Sequence, residues 1–255
     1  AGVLASAHIR AIAVTDQPRR RGDSYMPAFL AGLGYGRALA AVLGVPLYRL
    51  SHQENHLLAV LRSMGYIGSA PFYGIHLRGG TTVLLRAVPD EKGLDITRIG
   101  GTSDISAGQF IDRMGVALDL PFPAGVHVDK LAQTVNPPVK EAHVFCRDGQ
   151  VSFSGPESQG QRRSAAGGED PARLCSWTLS TVWRGLESLL DYAAADGMKH
   201  LVAAGGVMSN GYLRRQMSDY CRRHQIDLNL AADGFSADNA SGAAFWAAVQ
   251  EGKKS

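Results

Sequence analysis

Apolar residues run along this chain in two rhythms. Compact apolar runs at IRAIAVT (9–15), PLYRL (46–50), HLVAAGG (200–206) and IDLNLAA (226–232) predict buried strands. FYGIHLRGGTTVLLRAV (72–88) predicts two strands joined by a Gly-Gly turn. DITRIGG (95–101) extends that sheet, and HVFCRDGQVSFSG (143–155) predicts a second hairpin turning at Asp148-Gly149. Between these runs the spacing becomes helical. SYMPAFLAGLGYGRALAAVLG (24–44) predicts a loop leading into an apolar, small-residue helix that ends at Gly44, and a further helix starts at Ser51. Phe110, Ile111, Met114 and Leu118 mark one face of a helix over 106–120, followed by a short helix at 125–133. PESQGQRRSAAGGED (156–170) is polar and Gly-rich and predicts a mobile loop. Helices over 170–196, 210–224 and 237–250 complete the chain, the last two forming a βαβα unit with the final strands. Hairpin sheets with intervening helices and no internal repeat predict a mixed α/β fold with two lobes.

Composition narrows the class. The chain has 255 residues, 45% of them hydrophobic, enough for one large domain or two modest ones with their own cores. With 19% charged residues and 30 glycines it has the make-up of a folded α/β protein, not a disordered one. A net charge of +3 permits an RNA partner without implying one. Cys146, Cys175 and Cys221 form no CxxC pair, which points away from a disulfide framework and towards a reducing compartment. No apolar run reaches the roughly 18 residues of a membrane span, and no signal peptide is visible. The opening AGVLASAHIR has no methionine and reads as the end of a helix feeding a strand, as if the chain began inside a domain.

SHQENHLLAVLRSMG (51–65) raises a question of chemistry. Ser51 and Glu54 form S-x-x-E, a capping box that accounts for both residues structurally. It leaves His52 and His56 unexplained. At i and i+4 they share one helix face, with β-carbons about 5–6 Å apart, a spacing that suits one divalent ion or two satisfied imidazoles. His76, in the strand before the Gly-Gly turn, and Asp238, in FSADNASG, are candidate further donors. As a strand histidine and a helix N-terminal acid they also have ordinary structural roles. Four glycine-rich turns, LRGGTT (77–82), RIGGTSDISAG (98–108), PFPAG (121–125) and AAGGVMSN (203–210), could place backbone amides around a phosphate and suggest a nucleotide cleft between lobes. None matches the P-loop or the dinucleotide fingerprint.

In order and spacing, these segments resemble the TsaD family of tRNA threonylcarbamoyltransferases, in the superfamily of actin, hexokinase and the heat-shock chaperone ATPases. HQENH resembles the family's H-x-E-G-H, with Asn55 in place of glycine. HLRGGTT resembles its L-V-S-G-G-x-T turn, and SAGQFIDRMGVALDLPFPAGVHVDKLA its A-G-E-A-F-D-K … Y-P-G-G-P … D-K-L-A segment. AAGGVMSNGYLR resembles A-G-G-V-x-x-N-x-x-L-R, SADNASGAA resembles T-D-N-x-A-M-I-A, and VSFSG resembles F-S-F-S-G. The likeness covers residues 9 to 250.

The resemblance implies an α/β actin-like ATPase fold with two lobes and mixed sheets flanked by helices, the first strands of the N-terminal lobe being missing. Residues 1–70 would be the remainder of that lobe, and 71–255 the C-terminal lobe with a helical insertion around 106–196. It implies His52, His56 and Asp238 as ligands of a divalent transition metal, iron or zinc, with Glu54 able to assist proton transfer. For an adenine nucleotide, ATP or an acyl-adenylate, it implies Gly79 and Gly80 at the phosphates, with His76 and Arg78 close by as further cofactor-binding residues. Asp112, Gly125 and Asp129 would stand at the ribose and Asn210 at the adenosine moiety. The implied activity moves threonylcarbamoyl from its adenylate to tRNA adenosine in the cytoplasm. The expected partners are tRNA and a second actin-like subunit, in a homodimer or heterodimer, with no membrane. A metalloprotease is disfavoured, because H-x-x-x-H lacks a glutamate directly after the first histidine.

Departures from the pattern keep other readings open. The acidic, Ser/Thr-rich phosphate motif of the N-terminal strand pair is absent, and Arg78 replaces the serine of the S-G-G turn. DQPRRRGDSYMPAFLAGLG replaces the family's G-P-G-x-x-x-x-L-x-V-G, and its arginines 19 to 21 suit either an anion or a solvated surface. These features fit a divergent paralogue. The alternative function is a non-catalytic nucleotide-binding scaffold or partner subunit. A small-molecule kinase of the same superfamily is a third reading.

Overall fold

The structure is a computed structural model that describes residues 8–62, 70–230 and 240–253. It divides into two compact units, Ala1–Ala70 with Ala87–Ile96 and Gly234–Ser255, and Pro71–Arg86 with Thr97–Asp233.

In the first unit, strand β1 (Ile12–Gln17) pairs in parallel with β2 (Leu47–Ser51), from Ile12 opposite Leu47 to Thr15 opposite Leu50. Parallel neighbours need a crossover, and helix α1 (Pro27–Leu43) supplies it. Pro27 stands in its first turn, where a missing N–H costs nothing. Gly44 ends it in the left-handed conformation (φ 65°), its amide donating to Ala40 O. Helix α2 (His52–Leu61) starts at the expected capping box: Ser51 Oγ accepts from the Glu54 amide at 3.3 Å, and Glu54 Oε2 from the Ser51 amide at 2.7 Å. Every residue from Glu54 to Leu61 is buried, so Glu54, Asn55 and His56 each need polar partners inside the unit. Arg20 answers for Glu54. It fits neither reading of the arginine run: partly buried, it bridges Glu54 and Asp90, bonding the latter at 2.6 Å.

The second unit is built on a mixed sheet. Its strands are β3 (Phe72–Arg78), β4 (Thr81–Asp90), β5 (Gly93–Thr102), β6 (Phe145–Arg147), β7 (Gln150–Ser152), β8 (His200–Ala204) and β9 (Asp227–Leu230). The seven strands stand in the order β6-β7-β5-β4-β3-β8-β9. The two predicted hairpins lie at β3–β4 and β6–β7. β3 runs parallel to β8, β8 to β9, and β5 to β7. The tips of β4 and β5, residues 87–96, belong to the first unit.

The helices of this unit are α3 (Ala107–Ala117), α4 (Gly125–Ala132), α5 (Ser154–Ala166), α6 (Pro171–Ala195) and α7 (Gly211–Arg223). Phe110, Phe153, Trp177, Leu186, Leu77 and Leu84 anchor the core. Buried Thr178 and Thr181 on α6 satisfy their hydroxyls on carbonyls one turn back, Leu174 O and Trp177 O. The last helix, α8 (Ser241–Gly252), belongs to the first unit and packs on α2. Apart from residues 156–170, the strand, turn and helix expectations are met within a few residues at each end where they fall on described residues; residues 1–7, the end of the predicted strand at 231–232 and the predicted start of the final helix at 237 lie outside them.

Residues 156–170 depart from expectation: in place of a loop the chain forms α5. The helix has no apolar stripe to reveal it. It is held by contacts distant in sequence. Asp104 accepts from the amides of Phe153 (3.0 Å) and Ser154 (3.2 Å), taking over the capping role at its start. Gly160 lies so close to Met114 and Trp177 that a β-carbon there would be 2.5 Å from the Met114 sulfur. Arg163 stacks 4.5 Å above the Trp177 ring and pairs with Glu169. Among the described residues no helix is long and apolar enough to cross a membrane.

Candidate functional site

The second unit holds a cavity of about 320 Å³, within the size range of small-ligand sites. Glycines from three turns open it: Gly79 after β3, Gly125 at the start of α4, and Gly206 in the short 3₁₀ turn after β8. A methyl group at any of the three would meet nothing within 4 Å, so the backbone is accessible to a ligand there. Ile111, Pro123, Val126 and Val207 supply apolar walls that suit a flat base.

Two polar groups converge on this space. Asp112 is fixed by one oxygen, which accepts from the Ala124 amide at 2.8 Å; its other oxygen has no partner among the described residues. Asn210 is the N-cap of α7, its Oδ1 accepting from the Leu213 amide at 3.0 Å. Reversing the amide would set two donors face to face, so the cap fixes its orientation. The Nδ2 group is left buried and without a hydrogen-bond partner among the described residues, a state that costs about 1–3 kcal/mol unless a ligand accepts from it. Asp129 also lines the cavity, but its oxygens accept from the amides of Gly211 (2.7 Å) and Tyr212 (3.2 Å). It holds α7 in place. A carboxylate acceptor, a buried amide donor, open glycine backbone and apolar walls fit a nucleoside with attached phosphate.

In the first unit, α2 presents the histidine pair. The two Nε2 atoms stand 2.9 Å apart, with ring planes inclined at 74°. Two imidazoles on one tetrahedral ion hold their nitrogens about 3.3 Å apart, so a displacement of a few tenths of an ångström converts this contact into a pair of metal donors. His56 is buried, and Phe29 packs 5.5 Å from the His52 ring. Among the described residues no group of three or more His, Cys, Asp or Glu comes together, and Asp238 lies outside them. The two imidazoles are thus a pair of possible donors with no third donor beside them among the described residues. Glu54 is 1% exposed and fully engaged: its Oε1 accepts from Arg20 and from the Leu94 amide (2.8 Å), its Oε2 from Ser51.

Of the residues the sequence singles out for a nucleotide, Gly79, Asp112, Gly125, Asp129 and Asn210 come together in one cavity. Gly80, half-buried Arg78 and half-buried His76, which stands opposite Ala204 of β8, are not among the residues lining it. Sequence reasoning missed the walls, Ile111, Pro123, Val126 and Val207, because isolated apolar residues carry no ligand signature. Gly206 was visible as the second glycine of a turn.

A family model described as tRNA N6-adenosine threonylcarbamoyltransferase (TsaD) matches residues 3–245. A curated relative of that name from Geotalea uraniireducens (strain Rf4) is 33% identical over 243 residues, spanning 90% of this chain and 67% of its own. One from Pelodictyon phaeoclathratiforme (strain DSM 5477 / BU-1) is 30% identical over 254 residues, with 90% and 70% covered. Among solved structures, HypF from T. kodakarensis superposes with a TM-score of 0.66 at 14% identity, over 89% of this chain and 40% of that one. The activator of 2-hydroxyisocaproyl-CoA dehydratase from Clostridium difficile, with bound ADPNP, gives 0.54 at 14% identity and covers 95% of both chains. At such identity the structural likeness speaks for fold alone: an α/β, actin-like ATPase fold with mixed sheets flanked by helices, as expected.

Proposed function

The chain belongs to the tRNA N6-adenosine threonylcarbamoyltransferase family, and from that membership we propose that it is a cytoplasmic, metal-dependent transferase moving threonylcarbamoyl from its adenylate to a tRNA adenosine. The observation that carries the nucleotide half is Asn210, which lines a cavity open along glycine backbone: its amide is held by its own cap, and its Nδ2 is buried and without a partner among the described residues. Asp112 would accept from the ribose hydroxyls, and Asn210 Nδ2 would donate to the adenosine moiety. The amides near Gly79 would hold phosphate oxygens. Asp129 would act through α7 by keeping Asn210 in place.

His52 and His56 would hold a divalent transition metal, with Asp238 as a third donor by the motif it occupies. Such an ion supplies Lewis-acid polarisation when bound. Glu54 enters as the anchor of the helix that presents both imidazoles, since its oxygens already accept from Arg20 and two backbone amides. The expected second actin-like subunit has a surface to use: Tyr35, Leu39 and Val42 lie on one stripe of α1, and Val42 is 84% exposed.

A second reading, a nucleotide-binding partner subunit without transfer activity, is favoured by Arg78 in place of the family's serine beside Gly79. One assay separates the two. The chain is incubated with synthetic threonylcarbamoyl-adenylate and unmodified tRNA, with and without its expected metal. Modified adenosine in the tRNA digest supports the enzyme. Nucleotide binding with no modified base supports the partner subunit.

A further inference from the structure

The motif around the histidines departs from the family pattern at Asn55, and the motif leading into α8 departs at Gly242. The family patterns these motifs resemble, H-x-E-G-H and T-D-N-x-A-M-I-A, have glycine at the first position and methionine at the second. The structure places these two departures against each other. Asn55, 1% exposed, lies on α2 between His52 and His56, and its Oδ1 accepts from the amide of Ala243 at 2.8 Å. That amide is in the first turn of α8, whose own N-cap, Ala240, supplies no side-chain acceptor. Asn55 therefore caps α8 from another helix, 188 residues away in sequence. The reach depends on Gly242. A β-carbon there would stand 2.0 Å from Asn55 O and 2.7 Å from the Ala59 amide nitrogen, contacts with backbone that no rotamer relieves.

We propose that Asn55 is a positioning residue for the histidine pair: with Gly242 it locks α8 onto α2 and so fixes the turn that carries His52 and His56. This rests on the metal site proposed above. Removing either half breaks the same lock. Asn55→Ala deletes the acceptor. Gly242→Ala forces α8 away and pulls the Ala243 amide out of reach.

The test is a double-mutant cycle read in two ways on the full chain. Melting temperatures of Asn55→Ala, Gly242→Ala and the double variant give the coupling between positions. The expected result is a double variant that loses clearly less than the sum of the singles, because the bond is lost only once. Additive losses would overturn the lock. Competition of Zn²⁺ against a fluorescent chelator gives the second reading. Asn55→Ala is expected to weaken zinc binding about 10-fold, the lower end for groups that orient metal ligands. Equal zinc affinity in all variants would overturn the positioning role. A wild-type chain that takes up no zinc refutes the metal site and the positioning role together, while the melting cycle still decides the lock.

Discussion

Arg20 and Glu54 form an ion pair in which the Glu54 side chain is 1% exposed while that of Arg20 retains 29% exposure. Glu54 also accepts the Ser51 and Leu94 amides, so one buried carboxylate joins the start of α2 to the tip of β5. Removing its counter-charge leaves a buried anion with backbone donors alone. Arg20→Ala is expected to cost about 3 kcal/mol, the lower end for breaking a buried pair given the partial exposure of Arg20. Adding Glu54→Gln should recover part of that loss. Urea unfolding of the three variants checks both.

Two carboxylates make stability fall in acid. Asp90 sits below its usual range: partial burial opposes its charge, but the hydrogen bond from Arg20 and the Lys92 amide outweigh it. Asp104 is lowered in the same way, burial being outweighed by bonds from Ser152, Ser154 and the Phe153 amide. A depressed folded value means the contribution is complete above the unfolded value, about 3.9, and is lost as pH falls through the folded one. Asp104→Ala should cost about 1 kcal/mol at neutral pH, as loss of a helix cap does. The difference between wild type and this variant should shrink as pH falls below the unfolded value of about 3.9. Thermal melts from pH 7 to pH 2.5 check it.

Thiol reactivity should separate the cysteines. Cys175 and Cys221 are buried, and burial pushes each thiol up to about 11, with the Asp170 charge adding at Cys175. Cys146 is exposed on β6. Native protein at pH 8 is expected to react with a thiol-specific disulfide reagent at Cys146 alone. Denatured protein should react at all three positions, and peptide mapping of the labelled sites checks this.

Most of the architecture was legible because its signals are local. The capping box at Ser51 and Glu54, the Gly-Gly turn at 79–80 and the Asp148-Gly149 turn each specify their own geometry within four residues. What escaped was fixed by distant partners. Helix α5 has no apolar face, and its cap, Asp104, lies about 50 residues upstream of the chain it holds. Arg20 reads as one of three like residues, and only the fold brings Glu54 and Asp90 to it. The candidate site divides likewise. Asp112, Gly125, Asp129 and Asn210, singled out by their motifs, line one cavity, while the tie of Asp129 to the start of α7 and of Asn55 to α8 has no chain-order signal.

The nucleotide site is tested most directly at Asn210, a cavity-lining residue whose side-chain oxygen caps α7 and whose nitrogen is buried without a partner among the described residues. Asn210→Asp keeps the cap and replaces the donor with an acceptor. Calorimetric titration of a non-hydrolysable ATP analogue should show one-to-one binding to the wild type, and at least about tenfold weaker binding to Asn210→Asp, with the melting temperature of the free variant unchanged. Equal affinity in the two proteins, or no binding to the wild type, would contradict a nucleotide site in this cavity.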